Sequence, residues 1–444
     1  MSPYADIPEL CSLDARDSLV RIPQEMDVPI TSRVRSIIDT PEFRRLARIP
    51  QLGLVSLVYP AAHHTRFEHS LGVYRMALMY LQRLGHDARF CDLIQPRDAE
   101  LFLVAALLHD LGHWPFCHPI EDLRLPGVPQ HEMFLNSLLL EGEIADHLRE
   151  DWKIQPREIV ALLSEKPRDN KSRVLSTMIS GPIDVDKMDY LFRDSLHAGV
   201  PYGRNFDRQR LIGSLCLNEN LTGLALTEKG RTAAEMMVFS RYVMFSEVYW
   251  HHAVRSATAM LQRAFYELHG ELELDTLFRL EEQEMVAAMT AAAAGGPAAD
   301  LLVGLFGPTR RLYKRLAEFS HFQSRHLYDR LARRPYHWLV ACSEGLSAAL
   351  SHHLSRRVAP HEVLVDAPPV KLEVEFKVDI HFGREGLYRP LGDVSPVVRT
   401  LAREQFDEYV KRVRVFIAPN LAEEMQDQSS ILELLDGVIE SMDG

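Results

Sequence analysis

The stretch Ala105-Ala106-Leu107-Leu108-His109-Asp110-Leu111-Gly112-His113 constrains the fold more than any other. An apolar run long enough for a buried helix delivers adjacent His and Asp side chains and then breaks at glycine. An imidazole and a carboxylate that deep in a protein cost several kcal/mol unless paired or bound to a metal. A hydrogen bond tying the helix end to a loop would satisfy an isolated His-Asp pair, and a divalent ion would satisfy it together with further ligands. Either way the rest of the chain must be arranged around a buried central helix.

Further candidate ligands lie before and after it. Tyr59 to Val73 contains three histidines within seven residues, His63, His64 and His69. His63 and His64 fall in a Pro-Ala loop and read as solvated or locally hydrogen-bonded. Arg66 and His69, at i and i+3, share a face once a helix begins, so His69 is the better ligand candidate. Gly112 and Pro115 enforce a loop after the central helix, and the loop brings His113 and His118 towards the space that His109 and Asp110 face. His131-Glu132 opens another helix.

At Ile183-Asp184-Val185-Asp186 a helix restarts with Asp184 as its cap. Asp186, Tyr190 and Asp194 follow at i, i+4 and i+8 on one face, beside Lys187 and Arg193. From Ala233 to about Leu268 the spacing reads as one long helix, with Arg241 and Tyr249 two turns apart on one stripe.

The flanking regions are plainer. Leu19 to Pro23 reads as an edge strand or hairpin. Ser32 to Leu52 reads as two helices, with Thr40 capping the second, Pro41 at its first position and Arg44, Arg45 and Arg48 on a solvated or phosphate-facing side. The expected divisions are an N-terminal segment with short strands (1–35), a catalytic domain (36–268), a helical extension (269–357) and a C-terminal α/β subdomain (358–444). Within the last, Val363–Val365, Lys371–Phe382 and Val413–Ile417 read as strands and Val397–Tyr409 as a helix. The fold class is mainly α, a helical bundle with a small C-terminal α/β subdomain.

A formal charge of −12 argues against nucleic acid or an anionic membrane as a partner, since both demand a positive field. Any phosphate must therefore meet local arginines and lysines. Five cysteines with no C-x-x-C spacing suggest a reducing compartment. The first residues lack both a basic and an apolar region of a signal peptide, and the apolar run Leu101–Leu108 is too short to span a membrane. The expected location is the cytoplasm.

His69, His109, Asp110 and Asp186 together offer two imidazoles and two carboxylates, a donor set suited to a divalent ion such as Mn, Fe, Ni or Zn, with Mg as a further option. The order H…HD…D, with His109 40 positions after His69 and Asp186 76 after Asp110, resembles that of the HD-domain metal phosphohydrolases. The strings Thr65-Arg66-Phe67-Glu68-His69-Ser70-Leu71-Gly72-Val73, His109-Asp110-Leu111-Gly112-His113 and Ile183 to Tyr190 are similar to those of its dNTP triphosphohydrolase branch.

That resemblance implies an HD helical bundle in which His69, His109, Asp110 and Asp186 ligate the metal. It places His113, His118 and His131 around the scissile α-phosphate, with Arg66, Lys187 and Arg241 on the triphosphate. Tyr190, Asp194 and Tyr249 would shape the sugar pocket, and Gln51 and Leu52 would lie near sugar and base. The implied reaction converts a deoxynucleoside triphosphate to deoxynucleoside and inorganic triphosphate. The implied partners are the nucleotide substrate, an activating nucleotide and further copies of the chain in a dimer or tetramer.

Two departures bear on activation. Asp17 to Arg21 stands where the family often has Asp-Pro-x-His-Gly, and Ala47 stands where a mammalian relative uses an arginine for a guanine activator. Trp114, His251 and His252 are expected to alter the pocket's shape. Two other readings are an HD phosphohydrolase acting on another nucleotide phosphoester and a non-catalytic nucleotide-binding regulator. Phosphate-cradling P-loops and dinucleotide fingerprints are absent from the sequence.

Overall fold

The computed structural model describes residues 2–14, 18–23, 26–369, 377–401, 410–425 and 429–443. Three helices form its centre. Helix α1 (Arg66–Leu84) packs against both α2 (Pro96–Leu108) and, further along the chain, Val185–His197. Thr65 caps α1 by accepting from the Glu68 N–H, and Gln95 and Asp98 form a capping box at the start of α2 behind Pro96. Phe102 to Leu108 is completely buried. At about 1.5–3 kcal/mol for each large side chain, that run fixes α2 in the core and leaves its C-terminal end, His109, at the functional site.

The following helices are α3 (Cys117–Glu121), α4 (His131–Leu139), α5 (Val185–His197), α6 (Arg231–Met244), α7 (His252–Leu268) and α8 (Tyr336–His353). Asp184 caps α5 as expected, accepting from the Lys187 N–H at 2.6 Å. The long helix expected over 233–268 is interrupted. A π-helical turn at Phe245–Tyr249 ends α6, and His251 takes an extended ψ of 135° and caps α7. Apolar spacing carries on through this turn, so periodicity alone does not reveal it.

The strands make three sheets. β1 (Leu19–Ile22) and β2 (Met26–Pro29) form the N-terminal hairpin. β3 (Leu215–Leu217) and β4 (Leu224–Thr227) continue through β7 (Asp379–Phe382) to β8 (Leu387–Pro390), with β4 and β7 parallel. β5 (Lys314–Phe319) and β6 (Val363–Asp366) flank β9 (Val413–Ile417), antiparallel on both sides.

β5 lies within the stretch 269–357 expected to form a helical extension, in the part whose pattern reads as helical up to about Arg357. Its charged Lys314 and Arg315 face solvent and Leu316, Ala317 and Phe319 are buried; a register shift between Arg315 and Ala317 breaks the alternation that would mark a strand. β7 joins a sheet begun before residue 230, so the C-terminal strands divide between two sheets. Residues 371–376 of one expected strand, 402–409 of the expected helix from Val397, and Asp17 lie outside the described residues; a short helix at Pro396–Arg399 is described. All five cysteines are free thiols, and no described helix is long and apolar enough to cross a membrane.

Candidate metal centre and nucleotide site

α1, the end of α2 and the first turn of α5 converge on one point. His69, His109 and Asp110 present ligand atoms within 4.8 Å of one another. Asp186 Oδ1 lies 3.1 Å from His69 Nε2 and 3.9 Å from His109 Nε2. His109 accepts its place from the helix: its Nδ1 sits 2.9 Å from the Ala106 carbonyl, which leaves Nε2 facing the centre. Both Nε2 atoms are buried and neither makes a hydrogen bond to a described residue. Two orphaned imidazole nitrogens beside two carboxylates are a donor set that fits a divalent ion.

The electrostatics also favour a cation. Burial opposes charge on the His69 ring, but Asp186 and Asp189 beside it outweigh burial and push its pKa up to about 10. Burial likewise opposes charge on Asp110, yet the Arg66 guanidinium and the imidazoles around it hold its carboxyl well below the usual range.

Asp189 was not singled out from the sequence. It is fully buried, receives His69 Nδ1 at 2.9 Å and is clamped by Arg193 through two hydrogen bonds of 2.7 and 2.8 Å. A carboxylate on the far nitrogen of a ligating histidine fixes its tautomer and orientation. The close approach of α1 and α5 here requires Gly72, because a Cβ would lie 2.0 Å from Asp189 Oδ1.

A second histidine group forms next to the first. The rings of His113 and His131 are 4.1 Å apart, and that of His118 is 5.0 Å from His113. Phe116 turns the loop into α3 with a left-handed φ of 56°, uncommon for an aromatic residue. Gly112 is needed because a Cβ would lie 2.3 Å from the His131 carbonyl oxygen. Burial and the nearby Arg66 charge keep His113 neutral, with its pKa well below the ordinary value. His118 is exposed.

Glu121, also missed, organises this group: its carboxylate accepts from the His131 backbone N–H at 2.6 Å, meets His131 Nδ1 at 2.9 Å and lies 3.5 Å from His118 Nδ1. Its position ten residues before His131 carries no periodic signal. Arg45 secures the loop from below, donating to the carbonyls of Leu111 and His113, a role between the solvated and phosphate-facing alternatives.

The remaining candidates line up along α5 and the π turn. Tyr249 donates to Asp194 at 2.5 Å, and His64 Nε2 meets the other Asp194 oxygen at 2.9 Å. Of the two alternatives for His64, solvated or locally hydrogen-bonded, neither describes it fully: it is buried and bonded to a residue far along the chain, and the bridge between Pro50 and Thr65 and the Gln51 N–H to His64 carbonyl bond pull it inwards. The same pairing places Gln51 and Leu52 beside His64. Tyr190 and Tyr249 meet edge to face at 6.5 Å. Burial pushes the Tyr190 phenol up to about 12 against the opposing fields of Arg241 and Lys187, so those two cations share its surroundings. Lys187 pairs with Asp184 at 2.7 Å and Arg66 with Asp110 at 2.7 Å.

Trp114 is fully buried and stacks on Phe278 at 4.3 Å, which makes it core. His251 accepts from the Ala253 N–H at the start of α7.

Comparison with known proteins agrees with this geometry. The HD domain pattern matches residues 66–194, and that of the HD-associated region matches residues 206–436, more than half of the chain. The chain belongs to the HD-domain family. An uncharacterized protein of Methanocaldococcus jannaschii is 31% identical over 84% of this HD-domain chain and 74% of its own length. YwfO of Bacillus subtilis is 36% identical over 53% of this chain.

Human deoxynucleoside triphosphate triphosphohydrolase SAMHD1 is 29% identical over 54% of this chain and 42% of its own length. The match thus spans about half the length of several of these relatives, 52% for YwfO. Among solved structures, a hypothetical protein from Aquifex aeolicus aligns with a TM-score of 0.70 at 28% identity, over 92% of this chain and 99% of that one. A phosphohydrolase from Bacteroides thetaiotaomicron shares the fold, with a TM-score of 0.68 at 22% identity over 90% of this chain and 99% of that one.

Proposed function

We propose that this HD-domain protein hydrolyses deoxynucleoside triphosphates to deoxynucleoside and inorganic triphosphate. The observation that carries this reading is the pairing of the orphaned His69 and His109 nitrogens with a Tyr249–Asp194–His64 wall a few residues along α5. Two proteins named as deoxynucleoside triphosphate triphosphohydrolases, from Dictyostelium discoideum and Homo sapiens, are each 29% identical to this chain, over 56% and 54% of it.

His69, His109, Asp110 and Asp186 would hold the ion. When bound, a divalent ion lowers the pKa of water and offsets the negative charge of the phosphoryl oxygens. Arg66, Lys187 and Arg241 supply positive charge for the triphosphate, with Arg66 and Lys187 kept in position by Asp110 and Asp184. His113 stays neutral and fixes the loop. His118 is the exposed member of its group and is oriented by Glu121, so it gives the proton to the leaving 5′ oxygen. Tyr249, held by Asp194, sits against the sugar and excludes a ribose 2′-hydroxyl. Gln51 and Leu52 close the same end near sugar and base.

The test is product analysis by ion-exchange chromatography, with each dNTP and NTP in Mn²⁺ or Mg²⁺, singly and in mixtures. Deoxynucleoside with intact triphosphate is the expected outcome. Turnover of ribonucleotides alone would move the reading to another phosphoester, and no turnover by metal-loaded protein would end it. Stimulation of one nucleotide's turnover by another would identify an activating nucleotide.

A further inference from the structure

A cavity of about 250 Å³ lies behind α3, away from the metal centre. Its walls come from the residues just after α3, from α7, from the start of α8 and from β6. Charge is concentrated there. Arg255 pairs with Asp366 through bonds of 2.6 and 3.1 Å. Arg263 is 2% exposed and donates to Glu267 and Glu344, yet its buried Nη1 has no partner among the described residues. Arg124 and Arg334 complete the basic lining; Arg334 reaches Asp443 with one nitrogen, donates Nε–H to the Arg330 carbonyl and stacks on Trp338.

The 18-residue helix α8 begins at this wall, and its N-cap Pro335 offers no side-chain acceptor. The N–H groups of Tyr336 and His337 thus have no side-chain cap, while that of Trp338 donates to the Pro335 carbonyl at 3.0 Å. A helix N-terminus beside guanidinium groups is suited to a phosphate. Asp122 also lines the cavity, and burial holds its carboxyl above the ordinary range, which limits its opposition to an anion.

The cavity touches the catalytic side mechanically. Asp122 follows Glu121 and is the C-cap of α3. Gln262, another wall residue, donates to the Pro119 carbonyl in the middle of α3 at 2.8 Å. Whatever fills the cavity bears on the helix that presents His118 and Glu121.

We propose that this cavity is a second small-molecule site, for a compact phosphate-bearing anion held by Arg263, Arg334, Arg124 and the start of α8, and that its occupant steadies α3. Binding does not depend on the dNTPase reading; only the effect on turnover does.

The experiment is hydrogen–deuterium exchange of the full chain, resolved by segment, with inorganic phosphate, pyrophosphate and AMP as probes. Slowed exchange in 334–343 and 117–124 is expected with at least one probe. The double variant Arg124→Ala/Arg334→Ala alters the cavity's rim and keeps the core, which its melting curve verifies. It should need about tenfold more probe or worse for the same protection, as for loss of charge-assisted hydrogen bonds. Arg263→Gln should act in the same direction.

No protection at these segments at millimolar probe, protection indifferent to the double variant, or protection confined to the segments of His69 and His109 would each overturn the site. Should no nucleotide be turned over, exchange still decides it. Should dNTPs be hydrolysed, a probe that protects both segments without changing turnover would overturn the link to α3's catalytic role.

Discussion

Two histidine groups stand side by side, and each is backed by a carboxylate that does not itself face the reaction space. In the first, Asp189 backs His69 and is itself clamped by Arg193, the whole arrangement fully buried between α1 and α5. In the second, Glu121 backs His131 and His118 on a loop and a short helix, with side chains ranging from buried His113 to exposed His118. An arginine keeps its charge at any accessible pH whereas an imidazole does not. On the proposed function, the first group holds fixed charge around a cation and the second supplies the proton donor.

Removing one member from each group tests that division most strongly. Asp110→Ala should lower turnover to background and strip the metal, measured by elemental analysis of the purified protein. His118→Ala should lower kcat by about 10²–10⁴-fold, the usual worth of a general acid, with metal content unchanged. Loss of metal from the His118 variant would merge the two groups into one. Full activity in that variant would remove His118 from proton transfer.

How much of this was legible follows from how each residue is encoded. His69, His109 and Asp110 sit in contiguous strings whose apolar neighbours announce a buried helix, and Asp184 and Asp186 open a helix with a recognisable cap. Asp189 lies three residues after Asp186 in a stretch where charge reads as a solvated face, and its burial comes from α1 with Gly72 against it. Glu121 and His131 meet across a loop, and His64 is buried by a two-residue bridge from Pro50, so neither has a spacing to betray it. The π turn hides Tyr249's true placement because five residues in that turn preserve apolar alternation closely enough to pass for α-helix.

The carboxylates sharpen the comparison at smaller scale. Asp189→Asn keeps the volume but removes the charge that orients His69 and is answered by Arg193. Such outer partners are worth about 10–100-fold in metal affinity, so competition with a chelator should show a loss in that range with the helical circular dichroism retained. An unchanged affinity would mean that packing of α1 on α5 orients His69 without help.

Glu121→Gln should give the smallest effect and one that depends on pH. Burial raises the Glu121 carboxyl, but its hydrogen bonds to His118 and His131 outweigh burial and hold it well below the ordinary glutamate value. A depressed carboxyl contributes stability that is fully present above its unfolded pKa, about 4.3, and is lost as pH falls through its lower folded value. Its side chain is 17% exposed, so solvent screens part of that gain. About 1–2 kcal/mol at neutral pH is expected. Urea midpoints of wild type and variant should differ at pH 7 and converge in acid, down to the lowest pH at which both fold. A constant offset across that range would show that Glu121 acts through shape alone, and the second group would then be as rigid as the first.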